Sequence, residues 1–136
     1  MDYLPIFMKL ADRPCAVIGG GAVAARKVGL LLAAGARVTV TAPELCAPLA
    51  ELLRQGRIDY RAEAFTPDAL RGVALAIAAT DDRTVNAEVS RLAQSQLLPV
   101  NVVDDPELCS FILPAIVDRS PVVIAVSTGG ASPVLA

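Results

Sequence analysis

The sequence predicts an α/β domain built on a doubly wound, mostly parallel sheet, and three observations carry this prediction. Short apolar runs alternate along the chain with longer, helix-like stretches, which is the element order of parallel sheets. Hydrophobic residues make up 54% of the 136 residues and charged residues 19%, so the chain can bury a core. The sequence shows no internal repeat, which argues against a solenoid. We therefore expect one sheet with helices packed on it.

The predicted elements follow in the order β-α-β-α-β-β-α-β. The first strand ends in a run of three glycines, and Gly35 and Gly56 end the first two helices. Thr80, Asp81 and Asp82 supply an N-cap and an acidic start for the third helix. The predicted strands cover residues 15–18, 37–41, 58–61, 73–79 and 99–103, and the predicted helices cover residues 22–34, 45–55 and the stretch after residue 82 to about residue 95.

The last third of the chain predicts a different structure. Two β-rich runs, residues 111–118 and 122–127, are separated by three residues, and so short a connection favours a β-hairpin over a parallel crossover. Ser132 and Pro133 are typical of the N-cap and the first position of a helix. This pattern predicts the start of a truncated helix, and we expect the natural polypeptide to continue beyond the last residue.

Composition argues against several classes of function. Apolar runs such as residues 73–79 are much shorter than a membrane-crossing helix, and the N-terminus lacks a signal peptide, so we expect no membrane partner and a cytoplasmic location. The net charge is −2 and basic residues are not clustered, which argues against a nucleic-acid partner. The chain has no histidine and three widely spaced cysteines, so we predict no disulfide framework and no protein metal site. Proton transfer then depends on a carboxylate, Lys, Tyr or Cys.

A glycine-rich turn follows the first predicted strand. Gly19-Gly20-Gly21-Ala22-Val23-Ala24 matches the G-x-G-x-x-G/A pattern, with Ala24 in the last place. The small residues let the chain turn sharply, let backbone N–H groups approach a pyrophosphate, and let the helix pack closely on the sheet. The turn lies between a buried strand and a helix, as a Rossmann-like dinucleotide site requires. The alternative is a glycine-rich turn in a Rossmann-like domain that binds no ligand.

The end of the second predicted strand is where the acid that binds the ribose usually lies. The sequence there is Thr41-Ala42-Pro43-Glu44, so the acid comes three residues late. Glu44 is either a ribose ligand or an ordinary acid at the start of a helix. No Arg or Lys lies between Arg37 and Arg54 to bind a 2′-phosphate, which favours NAD over NADP.

Polar residues also follow other strands, at the edge where doubly wound sheets bind ligands. Asp104 and Asp105 follow the fifth predicted strand, and they are either candidates for a general base or part of a solvated turn. Thr80, after the fourth strand, marks either a ligand site or only a helix cap. The loop of residues 127–130 either lines a ligand or is a flexible turn.

Five groups of residues occur together and in order along the chain. They are Gly19-Gly20-Gly21 with Val23-Ala24 and Arg26-Lys27; Ala78-Ala79-Thr80-Asp81-Asp82 with Val85-Asn86; Asn101-Val102-Val103-Asp104; Ser110-Phe111-Ile112 with Pro114-Ala115; and Val126-Ser127-Thr128-Gly129-Gly130 with Ser132-Pro133. With this set the chain resembles, from Leu4 to its last residue, the N-terminal module of the siroheme synthase family, the precorrin-2 dehydrogenase and sirohydrochlorin ferrochelatase. The resemblance implies a Rossmann-like NAD-binding domain over residues 1–110, and over residues 111–136 a β-hairpin and the incomplete start of a dimerisation region.

The resemblance also implies two reactions. NAD⁺ oxidises precorrin-2 to sirohydrochlorin, and Fe²⁺, a substrate metal, is then inserted to give siroheme. Asp104 is implied as the general base. The predicted cofactor-binding residues are Gly19, Gly20, Gly21, Ala22, Val23, Pro43, Glu44 and Thr80. The predicted substrate-binding residues are Asn101, Arg119, Ser127, Thr128 and Gly129, with Arg26 and Lys27 as further candidates for the carboxylates of the tetrapyrrole.

The implied partners are the tetrapyrroles precorrin-2 and sirohydrochlorin and, in the full-length protein, a second copy of the chain in a homodimer. The alternative function is a non-catalytic NAD-binding regulatory module. Such a module predicts an acid at the end of the second strand and no set of polar residues from Asn101 to Gly130. The sequence shows the reverse of both.

Overall fold

Seven strands, three α-helices and two short 3₁₀ helices (Pro67–Leu70 and Pro106–Leu108) are the regular elements of the part of the chain that the computed structural model describes, residues 1–130. Five strands form one parallel sheet, and the last two form a separate antiparallel hairpin, which confirms the predicted fold class. The sheet strands are β1 (Pro14–Ile18), β2 (Arg37–Thr41), β3 (Asp59–Arg61), β4 (Leu75–Ala78) and β5 (Val100–Val102); the helices are α1 (Ala22–Ala33), α2 (Ala47–Arg54) and α3 (Arg83–Ser95); and the hairpin strands are β6 (Ala115–Arg119) and β7 (Val122–Val126).

The core lies on both faces of the sheet. The strand order is β3-β2-β1-β4-β5, so β1 and β4 are central, and residues 15–18 and 75–78 are buried, which explains their continuous apolar sequences. Cys15 and Val17 belong to the core cluster that α1 and α2 cover. Ala16 and Ile18, which alternate with them, belong to the cluster that α3 covers. The sheet is therefore doubly wound.

The carboxyl ends of four strands lie in one row. Ile18 of β1 pairs with Thr41 of β2 and with Ala78 of β4, and Ala78 pairs with Val102 of β5. The loops after these residues therefore leave the sheet at the same edge. The chain builds the sheet outward from β1 in one direction and then crosses back to β4. The crevice between the loops after β1 and β4 is thus the topological switch point, where sheets of this kind bind ligands.

Element boundaries in the sheet domain differ slightly from the predicted ones. Helix α2 begins at Ala47 rather than at residue 45, because Cys46 has an extended backbone and is the N-cap. Strand β4 is shorter than the predicted run of residues 73–79. The position of each of these elements was predicted correctly, and the ends depend on hydrogen bonds to neighbouring elements that sequence patterns do not show.

The hairpin begins later than predicted and is exposed. Strand β6 begins at Ala115 rather than at residue 111, because Phe111 and Leu113 pack against the sheet's core before the ladder starts. Every residue of both hairpin strands is exposed, including Val122 at 58% and Ile124 at 52%. So many exposed β-branched apolar side chains indicate a surface that another surface covers.

The two ends of the described chain lie near each other. Residues 1–9 are exposed, and the ring of Tyr3 lies beside Gly129. The helix predicted to start at Ser132 and Pro133 lies outside the described residues. Within residues 1–130, no helix has both the length and the apolar character needed to cross a membrane.

Candidate functional site

The glycine turn is shaped by two loops that pack against it. Gly19 has a φ of +131°, and a Cβ there would collide with the carbonyl of Ala79, in the loop after β4. A Cβ on Gly20 would collide with the carbonyl of Glu44, in the loop after β2. The N–H of Cys46 also donates to the Gly20 carbonyl at 2.8 Å. These two glycines therefore let three loops meet, and neither position has room for a side chain.

Gly21 has a different environment. Apart from its chain neighbours, no atom lies within 4 Å of the position a Cβ would take, and the residue is exposed. Ala24, in the last place of the motif, is fully buried between α1 and the sheet. Of the three glycines, Gly21 is thus the one that faces open space, where a ligand can approach the backbone.

The start of α1 is open to an anion. Gly21 is the N-cap and makes no side-chain hydrogen bond, and the first turn of α1 contains no acidic residue. The N–H groups of this turn therefore carry the positive end of the helix dipole with no carboxylate to neutralise it. At α3, by contrast, Asp82 Oδ1 accepts from the N–H groups of Thr84 (2.9 Å) and Val85 (3.4 Å). The start of α1 fits a pyrophosphate, and the start of α3 is already capped.

The loop after β2 lies beside the glycine turn. Pro43 and Glu44 are both exposed there. Because α2 begins at Ala47, Glu44 lies outside its first turn, and the interpretation of Glu44 as a helix-start acid is wrong. The Tyr60 hydroxyl donates to the Ala42 carbonyl at 2.8 Å and so fixes the start of the loop.

The loop after β4 is held by a side chain of α3. Asn86 is buried, its Oδ1 accepts from the Thr80 hydroxyl at 2.6 Å, and its Nδ2 donates to the Thr80 carbonyl at 3.0 Å. Thr80 therefore lies at the switch-point crevice with its hydroxyl bonded to protein groups. Asn86 was not among the residues predicted for the site. The sequence feature that could have identified Asn86 is its spacing, since a polar residue three positions before the apolar Val89 lies on the buried face of α3.

Asp104 and Asp105 are adjacent but differently placed. Asp104 is exposed and has a φ of +60°, a left-handed conformation. Asp105 is partly buried and accepts a hydrogen bond from Arg83 Nη2 at 3.1 Å. Strand β5 lies two strands from β1, so its loop starts about 10 Å from the glycine turn at the usual strand spacing. One ligand can span that distance.

The next segment of the chain covers the free edge of β5. Cys109 Sγ accepts from the Val102 N–H at 3.0 Å and donates to the Val102 carbonyl at 3.2 Å. Burial raises the pKa of the Cys109 thiol; the hydrogen bond with the Val102 backbone opposes the rise and the charge of Asp105 adds to it. Asn101 is buried, and its Nδ2 donates to the Phe111 carbonyl at 3.1 Å. The Asn101 amide therefore joins β5 to this covering segment.

The other predicted substrate residues lie on the hairpin or after it. Arg119 is exposed, and its Nη1 donates to the Asp118 carbonyl at 3.0 Å. The Ser127 hydroxyl accepts from the Gly129 N–H at 3.0 Å, and Thr128 is partly buried. These hydrogen bonds of Arg119 and Ser127 are local to the hairpin segment. In the part of the chain that is described, no three His, Cys, Asp or Glu side chains are grouped closely enough to hold a metal ion.

Comparison with known proteins identifies a family and relatives of similar sequence. Residues 6–115 match the model of a family described as "Putative NAD(P)-binding". The siroheme synthase of Methylobacillus flagellatus is 62% identical over 136 residues, which cover 100% of this chain and 29% of that protein. The siroheme synthase of Nitrosospira multiformis is 59% identical over 139 residues, covering 99% of this chain and 29% of that protein. The chain thus spans less than a third of the length of these relatives.

A solved structure shows the same fold. SirC, a precorrin-2 dehydrogenase, matches with a TM-score of 0.83 and 29% sequence identity, over 98% of this chain and 65% of its own. The match therefore includes the hairpin as well as the sheet. The chain belongs to the NAD(P)-binding family whose model matches residues 6–115, and nearly all of it is similar to part of the siroheme synthases and of a precorrin-2 dehydrogenase.

Proposed function

We propose that the full protein containing this chain oxidises precorrin-2 to sirohydrochlorin with NAD⁺ and then inserts Fe²⁺ to give siroheme. The observation that carries the proposal is the row of loops at one sheet edge. In this row of loops, the uncapped start of α1 lies near the middle, after β1, and the exposed Asp104 follows β5, two strands from β1. The similarity to siroheme synthases and to a precorrin-2 dehydrogenase supports the choice of substrate.

The pyrophosphate of the dinucleotide binds at the glycine turn. The N–H groups of Ala22 and Val23 donate to it, because the start of α1 has no side-chain cap. Gly21 lets the phosphates approach the backbone, since the space beside it is open. Gly19 and Gly20 contribute by shape, because they allow the neighbouring loops to pack against the turn.

The adenosine ribose lies against Pro43 and Glu44, beside the glycine turn. The Glu44 carboxylate accepts hydrogen bonds from the ribose hydroxyls and repels a 2′-phosphate. Arg61, at the end of the neighbouring β3, has its guanidinium paired with Glu63 at 2.8 Å and Asp68 at 3.8 Å. With that cation engaged, NAD is preferred over NADP.

Asp104 is the general base of the dehydrogenation. When bound, NAD⁺ supplies the acceptor for a hydride. Precorrin-2 loses this hydride with its two electrons and also loses one proton, which Asp104 accepts. The chain contains no histidine, and the Asp104 carboxylate is exposed at the ligand-binding edge. Its φ of +60° is left-handed, a conformation that Asp adopts more readily than most other non-glycine residues.

The same carboxylate serves the insertion of iron. Fe²⁺ enters as a substrate and replaces two pyrrole protons of sirohydrochlorin, which Asp104 accepts in turn and passes to water. The substrate's peripheral carboxylates bind Arg119, and Asn101 with residues 127–129 complete the tetrapyrrole site. Thr80 contributes to the cofactor site from the loop after β4.

The hairpin joins two copies of the full protein in a homodimer. Residues 1–110 form the NAD-binding domain, and residues 111–136 begin the dimerisation region. The exposed apolar residues of the hairpin support this division, since water is a poor solvent for such a surface. The reaction takes place in the cytoplasm.

The test uses the full-length protein with precorrin-2 and NAD⁺. The absorbance of NADH is expected to rise with the oxidation, and added Fe²⁺ is then expected to give the absorbance spectrum of siroheme. Asp104→Asn is expected to abolish most NADH formation while NAD⁺ affinity, measured by calorimetry, is retained. Wild-type protein that binds NAD⁺ and forms no NADH would contradict the proposal and favour the regulatory module.

A further inference from the structure

Asn86 makes all its described side-chain hydrogen bonds to one residue. Its Oδ1 accepts from the Thr80 hydroxyl (2.6 Å) and the Thr80 N–H (3.3 Å), and its Nδ2 donates to the Thr80 carbonyl (3.0 Å). The side chain is 6% exposed. A buried amide that bonds both backbone groups of one loop residue fixes the conformation of that loop.

These bonds are not needed to start α3. Asp82 already caps the helix by accepting from the N–H groups of Thr84 and Val85. Asn86 lies one turn further along and is turned back toward the loop. Its function is therefore the position of the loop rather than the capping of the helix.

The hydroxyl of Thr80 is itself committed to protein groups. It accepts from the Asp82 N–H at 3.2 Å, and its one hydrogen goes to Asn86 Oδ1 at 2.6 Å or the Asp82 carbonyl at 3.0 Å. The side chain of Thr80 thus holds the loop closed on itself. What the loop offers to a ligand is its backbone and shape, not this hydroxyl.

The loop forms one wall of the switch-point crevice. A Cβ on Gly19 would collide with the Ala79 carbonyl, so the loop touches the glycine turn directly. The adenosine half of a dinucleotide extends from that turn toward β2 and Glu44. The nicotinamide half therefore extends the other way, along the loop after β4 and toward Asp104.

We propose that Asn86 is a positioning residue for the nicotinamide half of NAD⁺, which it acts on by holding Thr80 and the wall of the crevice. The inference rests on the proposed function. Thr80 then contributes to cofactor binding indirectly. Asn86 affects the binding of NAD⁺ more than the binding of a ligand without the nicotinamide half, which a residue with a purely structural role in the core would not do.

The test compares two ligands of the full-length protein by calorimetry. NAD⁺ contains the nicotinamide half, whereas ADP contains only the adenosine and pyrophosphate parts. Asn86→Leu is expected to raise the Kd of NAD⁺ about tenfold, the effect of losing roughly one well-placed hydrogen bond, and to leave the Kd of ADP unchanged. Asn86→Asp is expected to behave similarly, since it places a carboxylate oxygen against the Thr80 carbonyl.

Two further variants separate positioning from folding. Thr80→Val removes the hydroxyl that bonds Asn86 and adds no larger side chain, and it is expected to raise the Kd of NAD⁺ but not that of ADP. Thr80→Ser keeps the hydroxyl and is expected to keep the Kd of NAD⁺. Ser90→Ala is the matched control, because Ser90 is buried on the same helix and donates to the Leu108 carbonyl at 2.6 Å. It is expected to lower the unfolding temperature without changing the Kd of either ligand.

The inference would be overturned if Asn86→Leu and Thr80→Val weakened the binding of NAD⁺ and ADP equally, or if they changed the binding of neither. In both cases the binding of NAD⁺ by the wild-type protein would leave the proposed function intact. Wild-type protein that binds neither ligand would overturn the proposed function and the inference together.

Discussion

The guanidinium of Arg83 lies 3.1 Å from the carboxylate of Asp105, and this ion pair joins the first residue of α3 to the loop that carries Asp104. The Arg83 side chain is 88% exposed and that of Asp105 only 19%. Two adjacent carboxylates thus have different surroundings, because Asp105 has a cationic partner and Asp104 is exposed to solvent. We expect Asp105 to support the loop and Asp104 to react.

Separate replacement of the two carboxylates tests this division. Asp104→Asn is expected to lower kcat for precorrin-2 oxidation by about 100-fold or more, because the general base is lost while Asn still tolerates a positive φ. Asp105→Asn, the matched control, is expected to keep most of the turnover and to lower the free energy of unfolding by about 1 kcal/mol, because solvent around the exposed Arg83 weakens the ion pair. Rates are measured from NADH absorbance and stability from urea denaturation. Equal losses of kcat in both variants would contradict the division.

Replacing a glycine of the turn by alanine is expected to affect NAD⁺ affinity at one position and stability at another. Gly21 has φ −94° and ψ −167°, which any residue adopts, and open space beside it. Gly21→Ala is therefore expected to leave stability within about 0.5 kcal/mol of wild type and to raise the Kd of NAD⁺ about tenfold. Gly19→Ala, with a positive φ and a collision with Ala79, is expected to cost about 2 kcal/mol or more of stability. A Gly21→Ala variant with unchanged NAD⁺ affinity, measured by calorimetry, would remove this turn from the pyrophosphate site.

Two cysteines predict a loss of stability at alkaline pH. Burial raises the pKa of the Cys15 thiol against the opposing effects of Arg13 and of the hydrogen bond with the Leu75 backbone, and burial also raises the pKa of Cys109. Above the ordinary thiol pKa of 9.0, the unfolded chain releases these protons while the folded chain keeps them. The contribution of the two thiols to the free energy of unfolding is therefore fully present below that pH and is lost as the pH rises above it.

Urea denaturation on both sides of the ordinary thiol pKa measures this effect. The double variant Cys15→Ala with Cys109→Ser is the control, and its stability is expected to fall less steeply over the same pH interval. Identical slopes for the variant and the wild type would show that the two thiols do not contribute.

A charged side chain introduced into the exposed apolar hairpin is expected to disrupt the dimer of the full-length protein. Ile124→Lys is expected to convert a dimer of the full-length protein to a monomer in light scattering, because it places an ammonium group in the apolar face. Leu97→Lys is the control, since Leu97 is 92% exposed and follows α3 in the chain, outside the hairpin strands. A dimer that persists in Ile124→Lys would place the interface elsewhere.

The sequence was sufficient for features that depend on local pattern. The continuous apolar runs at β1 and β4 predicted a parallel sheet because both faces of these strands are buried. The glycine turn was recognised because it lies between such a strand and a helix. Asp104 became a candidate because it follows the last strand of the sheet at its carboxyl end, and its catalytic role stays a prediction.

The sequence was not sufficient for features that depend on contacts between distant residues. The collision that requires glycine at position 20 involves Glu44, in a loop that returns to the turn only in the folded chain. The pair of Arg83 and Asp105 joins residues 22 positions apart. The late start of the hairpin likewise follows from the packing of Phe111 on the core, which no local pattern encodes.

A crystal structure of the full-length protein with NAD⁺ bound would examine the whole arrangement at once. We expect the pyrophosphate within hydrogen-bonding distance of the Ala22 and Val23 N–H groups, the adenosine ribose at Glu44, and the nicotinamide ring in the crevice between β1 and β4 on the side of Asp104. NAD⁺ bound away from the glycine turn, or a nicotinamide ring directed toward β3 and away from Asp104, would contradict the proposed site.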